Sequence, residues 1–224
     1  MGMIIAEAGI NHNGDLTQAM FLALRAKECG ADAVKFQTFW GLRKELDVYQ
    51  FSREDWIKLK QYCNHIGIMF LTTPHTYSAL FFVNKLVLIH KIASPFIKEY
   101  PFLQIIGSFK KPIILSTGSL KNKNKVATNT QISTALKVLN NPYVTLMHCV
   151  SEYPCKNSMY NRIDNLKHRF NTHLIGLSDH TKNIKLPKGL AIYEKHFMVD
   201  EDCIDSNVSL LPEEFKEMVE YLKS

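Results

Sequence analysis

The chain has 224 residues, of which 46% are hydrophobic and 21% are charged, and its formal net charge is +6. This length and composition are typical of one large globular domain with a substantial hydrophobic core. The positive charge is compatible with anionic ligands, but no basic stripe interleaved with aromatic residues occurs, so no nucleic-acid partner is expected. No apolar run approaches the roughly 20 residues that cross a bilayer, so no membrane partner is expected either.

The cysteines indicate a reducing compartment. They are odd in number, scattered, and form no CxxC pair: Cys29, Cys63, Cys149, Cys155 and Cys203. This pattern argues against a disulfide framework or a zinc knuckle. The N-terminus enters an apolar run without a signal-peptide pattern. We therefore expect a cytoplasmic protein.

Residues 4–39 have the pattern of one strand–helix–strand unit. A short apolar run ends at Glu7, and Asp15 with Gln18 three residues later has the spacing of a helix capping box. A second apolar run carries Lys35 near its end. Short buried strands around a helix imply a parallel sheet, so Glu7 and Lys35 are expected at strand ends, where such sheets place their chemistry.

The rest of the chain continues this alternation of strands and helices. Six further apolar runs are predicted strands, mostly separated by helical patterns, at residues 68–71, 86–92, 112–115, 144–149, 174–177 and 190–193. Eight strands of this kind predict a (β/α)8 TIM barrel, with residues 1–224 as a single domain. Between strands 7 and 8 only residues 182–189 remain, with Pro187 among them. A full helix does not fit there, which predicts a degenerate seventh crossover.

Polar or ionisable residues follow nearly every predicted strand, namely Glu7, Lys35, Thr73, Lys91, Ser94, Ser116, His148, Tyr153, Ser178, His180 and His196. In a closed barrel such residues converge on one mouth although they are far apart in sequence. A single one, such as His148, is more often a satisfied core histidine. The recurrence at successive strand ends predicts an active site.

Several short motifs resemble those of the sialic acid synthase family, in the expected order. They are Glu7-x-Gly-x-Asn-His-Asn-Gly14, Gly30-Ala-Asp-Ala-Val-Lys-Phe-Gln37, Lys91-Ile-Ala-Ser94, Ile114-Leu-Ser-Thr-Gly118, His148-Cys-x-Ser-Glu-Tyr-Pro154, Gly176-Leu-Ser-Asp-His-Thr181 and Glu194-Lys-His-Phe197. The resemblance implies a synthase that condenses phosphoenolpyruvate with an N-acyl hexosamine similar to N-acetylmannosamine. The expected products are a nonulosonic acid of the sialic acid type and phosphate. The resemblance extends over the family's barrel domain and does not reach its C-terminal antifreeze-like domain.

The same resemblance implies roles for individual residues. The positions with expected catalytic roles are Glu7, Lys35, Lys91, Tyr153 and Asp205; those expected to bind substrate are Gln37, Thr73, Ser94, Ser116, Ser151 and Ser178. Lysine charge and hydroxyl donors are the groups that bind phosphate and carboxylate. The histidines, His180 and His196, are expected to hold a divalent metal, Mn²⁺ or alternatively Mg²⁺, because imidazole suits such ions.

The sequence also departs from the family pattern. Phe96 stands where the family usually has a glutamate, the family's Gly-Pro-Asp-His stretch reads Cys203-Ile-Asp-Ser206, and the connection after Phe39 is short. Two alternatives to an active sialic acid-type synthase therefore stay open. One is a synthase or lyase of the same barrel acting on a different aldehyde, and the other is a catalytically weak binding relative. The expected partners are phosphoenolpyruvate and an amino sugar, with a homodimer or a separate lid-domain chain as a further expectation.

Overall fold

Eight parallel strands alternate with helices in the computed structural model, which describes residues 2–42 and 44–224. The strands are β1 (Met3–Gly9), β2 (Ala33–Thr38), β3 (Met69–Pro74), β4 (His90–Ile92), β5 (Ile113–Ser116), β6 (Val144–Cys149), β7 (Ile175–Asp179) and β8 (Ile192–His196). The helices are α1 (Leu16–Glu28), α2 (Arg53–Ile66), α3 (Tyr77–Leu86), α4 (Tyr100–Ser108), α5 (Asn129–Leu139), α6 (Arg162–Arg169) and α7 (Pro212–Lys223). Two short 3-10 helices, Lys44–Tyr49 and Ser94–Lys98, lie in the connections.

The strands form a nearly closed barrel. Their order is β3-β2-β1-β8-β7-β6-β5-β4, so the first and last strands of the sequence are neighbours and β3 and β4 are the two ends. β3 and β4 also contact each other, which brings the ends of the sheet together. The predicted (β/α)8 TIM barrel is confirmed.

Local sequence signals account for the ends of several helices. Asp15 is the N-cap of α1, and its carboxylate accepts hydrogen bonds from the Thr17 and Gln18 amides. Gly67 ends α2 in the left-handed conformation at φ 72°, which glycine adopts without steric cost. At α5, Thr128 and Gln131 form a capping box. These signals fix where each helix leaves the barrel wall.

Two layers of side chains fill the molecule. The larger one lies between the strands and the surrounding helices and includes Trp56, Phe102 and Phe215, all at most 1% exposed. The second layer lies inside the barrel and consists of Ile5, Ala33, Leu71, Ile114, Met147 and Ile192. Gly176 leaves room for this layer, because a Cβ there would lie 2.4 Å from Sδ of Met147. The inner layer fills the lower part of the barrel, and the polar residues at the carboxyl ends of the strands lie directly above it.

The crossover between β7 and β8 contains no helix within residues 180–191, as the sequence predicts. A buried lysine on β8 holds this segment instead. The ammonium of Lys195 donates hydrogen bonds to Oδ1 of Asp179 at 2.5 Å, to the carbonyl of Asn183 at 3.0 Å and to the carbonyl of Thr181. Elsewhere in the barrel an amphipathic helix packs against the strands. Here the hydrogen bonds of Lys195 attach the connecting segment to the barrel wall instead.

Two predicted strand boundaries are wrong. Residues 86–89 precede β4, and Leu86 belongs to the end of α3, because its side chain continues the apolar face of that helix. β8 begins at Ile192, two residues later than predicted, and extends through His196. The short apolar runs could not distinguish a strand from the end of a buried helix.

None of the helices within residues 2–42 and 44–224 is both long and apolar enough to cross a membrane.

Candidate active site

A cavity of about 300 Å³ opens at the carboxyl ends of the strands. It is lined by every residue with a predicted catalytic, substrate-binding or metal-binding role, namely Glu7, Lys35, Gln37, Thr73, Lys91, Ser94, Ser116, Ser151, Tyr153, Ser178, His180, His196 and Asp205. The structure therefore brings together side chains from all eight strands or the loops that follow them.

Strand alternation explains this convergence. On β8, Glu194 and His196 are two residues apart and both line the cavity, whereas Lys195 between them lies on the helix side. The interior residue Ile192 continues the same row downward into the apolar floor. Six of the eight strands thus contribute an apolar residue to the floor, below the residues that line the cavity.

The floor of the cavity carries a buried network of lysines and glutamates. Nζ of Lys35 lies 2.6 Å from Oε2 of Glu7 and 3.7 Å from Oε2 of Glu194. Nζ of Lys91 lies 3.1 Å from Oε1 of Glu194. All four side chains are at most 6% exposed, so water screens these interactions little. The network therefore holds two ammonium groups at the base of the cavity.

The titration of this network follows from its geometry. Burial alone would raise the pKa of Glu194, but the ammonium groups of Lys35 and Lys91 outweigh burial and lower it. Burial alone would lower the pKa of Lys35, but the carboxylates of Glu194 and Glu7 outweigh burial and raise it. Both shifts favour the charged forms.

Hydroxyl groups surround the network. Thr73 accepts a hydrogen bond from Lys35 at 3.2 Å, and Ser178 donates one to Glu194 at 2.9 Å. Oγ of Ser94 accepts from the Gly118 amide at 3.2 Å. A Cβ at Gly118 would lie 2.3 Å from Oγ of Ser151 and 2.5 Å from Oγ of Ser94, so only glycine lets both hydroxyls converge. Oγ of Ser151 has no hydrogen-bond partner within the described chain.

The opposite side of the cavity carries the two histidines. Their ring centroids are 5.4 Å apart, and Tyr153 stacks on His180 at 4.0 Å. Nδ1 of His180 contacts the Val150 carbonyl at 2.8 Å, while Nδ1 of His196 lies 3.4 Å from Oδ2 of Asp205. Tyr153 and Asp205 are partly exposed and form the outer edge of this side.

The histidine pair has the properties of metal ligands. Burial, and then the neighbouring His196, lower the pKa of His180 to about 3, so its imidazole is neutral at physiological pH. The Nδ1–H of a neutral ring donating to the Val150 carbonyl leaves Nε2 with a free lone pair, the arrangement typical of a metal-binding histidine. No group of three or more His, Cys, Asp or Glu side chains in residues 2–42 and 44–224 has the geometry of a metal site. The pair fits an ion that takes two protein ligands and completes its shell with water or substrate. The predicted Mn²⁺ or Mg²⁺ stays a prediction.

Among the ionisable residues of the cavity, sequence reasoning missed three: His75, Cys149 and Glu194. Glu194 and Cys149 could have been found from alternation, because Glu194 is two residues before His196 and Cys149 ends the same strand as the interior residue Met147. His75 directly follows β3, two residues after the cavity residue Thr73, so the same alternation applies to it, and its ring stacks on Phe39 at 4.4 Å.

One strand-end residue turns away from the cavity. His148 is fully buried, and its Nε2 lies 2.7 Å from the Ser158 carbonyl. Its expected place at the barrel mouth is therefore wrong, and the alternative of a core histidine is correct. His148 is adjacent to Cys149 on β6, so the two side chains point to opposite faces of the strand, and Cys149 is the one that lines the cavity.

The structure also places the two unusual positions. Phe96 packs against Phe102 at 4.5 Å between ring centroids, and its neighbours Ser94 and Pro95 line the cavity in its stead. No carboxylate enters the cavity from this turn. Asp205, in the stretch that departs from the family pattern, does line the cavity beside His196.

Comparisons with known proteins agree with this geometry. The model of the family described as NeuB matches residues 40–224. A protein of Methanocaldococcus jannaschii described as uncharacterized is 38% identical, over 98% of this chain and 69% of its own length. An N,N'-diacetyllegionaminic acid synthase of Legionella pneumophila is 35% identical, over 98% of this chain and 71% of its own length. The solved N-acetylneuraminic acid synthetase of Leptospira borgpetersenii superposes with a TM-score of 0.89 at 32% identity, covering 99% of this chain and 82% of that one.

Proposed function

The chain belongs to the NeuB family, and we propose that it condenses phosphoenolpyruvate with an N-acyl hexosamine, releasing phosphate and a nonulosonic acid. The resemblance to sialic acid synthases is confirmed, and with it the prediction of a phosphoenolpyruvate-dependent synthase at the level of the family. The substrates of this chain and the roles of its individual residues are proposed.

One observation carries the proposal. Two buried ammonium groups and a set of hydroxyls lie at one side of a single cavity, and two histidines lie at the other. The first side suits a small molecule that carries both a phosphate and a carboxylate. The second side suits a metal-assisted carbonyl substrate. A condensation of phosphoenolpyruvate with an aldehyde needs both sides in one cavity.

On the donor side, Lys35 and Lys91 bind the anionic groups of phosphoenolpyruvate. Thr73, Ser94, Ser116, Ser151 and Ser178 provide hydroxyl donors around them. The carboxylates of Glu7 and Glu194 hold the lysines in place before the substrate arrives. This preorganisation reduces the cost of binding a multiply charged ligand.

On the acceptor side, His180 and His196 would hold the divalent ion, Mn²⁺ or Mg²⁺. When bound, the ion supplies Lewis-acid polarisation of the acceptor's aldehyde. Gln37, Tyr153 and Asp205 face the sugar. Asp205 is close enough to His196, at 3.4 Å, to orient its ring.

The reaction forms one carbon–carbon bond, and at the former enol carbon a bond to the oxygen of water replaces the bond to the phosphate oxygen. The methylene carbon of phosphoenolpyruvate attacks the aldehyde carbon of the open-chain sugar, and the aldehyde oxygen takes up a proton. Water adds to the resulting oxocarbenium-like centre, and the tetrahedral intermediate then collapses to the ketone, its hydroxyl proton passing to the departing phosphate. Glu7 takes the proton from this water, which balances the proton taken up by the aldehyde oxygen. Gln37 holds Oε1 of Glu7 at 2.9 Å, and Lys35 holds its Oε2. The lysines stabilise the anionic charge throughout.

The test is phosphate release from the purified chain with phosphoenolpyruvate and Mn²⁺. N-acetylmannosamine and a diacetamido hexose are compared as acceptors, because the relatives in the comparisons are named for different products. We expect release that requires an acceptor and is lost in both His180→Ala and His196→Ala. His168→Ala is the matched control, since His168 is exposed on α6 and remote from the cavity.

Three results would contradict the proposal in different ways. Phosphate release without any acceptor would indicate a hydrolase. Full activity in both histidine variants would remove the proposed role of the histidine pair. Binding of phosphoenolpyruvate without turnover of either sugar would leave a donor site alone and favour the binding-relative alternative.

A further inference from the structure

Asn11 lies in the turn after β1 and makes contacts unusual for a turn residue. It is 2% exposed, and its side chain reaches residues nearly 200 positions away in the sequence. Its Nδ2 donates to the Phe197 carbonyl and to Oγ of Ser209, both at 3.0 Å. Its Oδ1 accepts from the amide of Asp205 at 3.1 Å. One side chain thus ties the first strand to the segment that follows the last strand.

That segment, residues 199–209, contains neither a helix nor a strand, and most of its residues are at least partly exposed. The backbone of Asp205 is held at both ends. Its amide donates to Asn11, and its carbonyl accepts from Oγ of Ser209 at 2.8 Å. Ser209 is itself bonded to Asn11, so the three residues form a closed ring of hydrogen bonds.

The ring fixes a side chain that the proposed function uses. Oδ2 of Asp205 lies 3.4 Å from Nδ1 of His196, and a Cβ at Gly9 would lie 3.1 Å from the same oxygen. A side chain at position 9 would therefore crowd the carboxylate of Asp205. A shift of the segment would separate the carboxylate from the histidine.

Only an amide of this length satisfies the ring. It needs two donors and one acceptor on a planar group, which asparagine provides. Aspartate has no donor for the Phe197 carbonyl, and an aliphatic residue has neither function. The neighbouring Asn13 bonds the carbonyl of Asp202 in the same segment at 2.9 Å, but its contact is exposed and does not reach Asp205.

We propose that Asn11 is a positioning residue, which holds the carboxylate of Asp205 against His196 and thereby orders the metal and acceptor side of the cavity. This inference rests on the proposed function for the role of Asp205. Glu7 and Ile10 line the cavity, but Asn11 does not. Asn11 therefore acts on the site through Asp205 and not by contact with a substrate. The donor side is independent of the ring, since Lys35 and Lys91 are held by glutamates.

The test compares Asn11→Ala with Asn13→Gly, a matched control that removes the other amide and suits the positive φ of 50° at that position. The affinities for Mn²⁺ and for phosphoenolpyruvate are measured separately by calorimetry. We expect the dissociation constant of Mn²⁺ to rise about tenfold in Asn11→Ala, the scale typical of lost outer contacts at metal sites. The affinity for phosphoenolpyruvate should not change, and Asn13→Gly should match the wild type in both. Ser209→Ala breaks the same ring by a smaller change and should act in the same direction.

A thermodynamic cycle with Asp205→Ala tests whether Asn11 acts through Asp205. The double variant should bind Mn²⁺ no more weakly than Asp205→Ala alone. Hydrogen exchange of a peptide covering residues 200–210 gives a readout that needs neither metal nor turnover. The Asp205 amide should exchange at least about tenfold faster in Asn11→Ala than in the control.

The outcomes separate this inference from the proposed function. Additive effects in the cycle, equal loss of both affinities, or unchanged exchange in Asn11→Ala would overturn the positioning role while the synthase activity stands. A wild type that binds no Mn²⁺ would overturn the metal side of the proposed function and, with it, the positioning role of Asn11.

Discussion

Buried lysines lie on both sides of the barrel wall, and their partners differ. Lys35 and Lys91 face the cavity, where their partners are side chains, chiefly Glu7 and Glu194. Lys195 lies on the helix side, where its partners are Asp179 and two backbone carbonyls of the irregular crossover. The glutamates hold the ammonium groups at the cavity surface, where an anionic ligand can contact them, whereas the carbonyls hold Lys195 inside the wall. The same residue type therefore serves binding in one place and architecture in the other.

The pKa shifts express the same contrast. At Lys35 the two carboxylates outweigh burial and raise the pKa. At Lys195 burial outweighs the carboxylates of Asp179 and Glu214 and lowers the pKa. A buried ammonium in contact with one carboxylate depends on its remaining hydrogen bonds, so loss of any member of that cluster should be costly.

The largest expected effect is on stability, at Lys195 on the helix side of the barrel wall. Lys195→Met removes the cation from a fully buried cluster and leaves Asp179 without its ion pair, so we expect a loss of about 3–5 kcal/mol in the free energy of unfolding. Urea unfolding measures it. Lys182→Met, an exposed lysine of the same crossover, is the control and should change stability by less than about 0.5 kcal/mol. A loss of less than about 1 kcal/mol in Lys195→Met would show that the cluster is dispensable.

A smaller effect, on binding, is expected at the cavity. Lys91→Met leaves Glu194 with a hydrogen bond from Ser178 at 2.9 Å and with Lys35 at 3.7 Å, so the fold should tolerate it better than Lys195→Met. Loss of one charge-assisted contact to phosphoenolpyruvate should weaken its binding about 10- to 100-fold, measured by calorimetry. The contrast between the cavity lysines and Lys195 is wrong if Lys91→Met destabilises the fold as much as Lys195→Met and binds phosphoenolpyruvate as tightly as the wild type.

The smallest expected effect is on the pH dependence of stability, and it comes from a buried histidine that has no carboxylate partner. His90 is fully buried at the start of β4 and lies 3.0 Å from Oδ1 of Asn84. Burial, and then Lys111, lower its pKa to about 4, so it stays neutral in the folded chain while the unfolded chain takes up a proton as the pH falls below about 6.5. The stability it contributes is therefore present at pH 7 and is lost progressively between about pH 6.5 and pH 4.

The measurement is the free energy of unfolding at pH 7 and pH 5.5 for the wild type and His90→Gln. The wild type should lose about 1 kcal/mol more than the variant over this interval. His168→Gln, at an exposed position, should follow the wild type. Equal losses in the wild type and His90→Gln would mean that His90 is protonated in the folded state.

Much of the site could be predicted from the sequence because barrels place strand ends at one mouth. The regular recurrence of polar residues after apolar runs was sufficient to gather Lys35, Lys91 and Ser178, and the family motifs added Asp205 and Gln37. The omission of Glu194 and the misplacement of His148 have one cause. Nearness to a strand end does not say which way a side chain points. Alternate residues of a strand face the cavity and the outer layer, so odd or even position along the strand decides where each one lies.

The sequence by itself determined the eight-fold alternation, the missing helix before β8 and the set of polar strand ends, because these depend on local periodicity and on segment length. Only the tertiary structure decided the partners of those residues. Lys35 between two glutamates, Lys195 against the crossover carbonyls, and Asn11 against Asp205 are contacts between segments far apart in the chain. Closing the barrel joins β1 to β8, and this closure, which no local pattern encodes, brings Asn11 and Glu7 to the segment that carries His196 and Asp205.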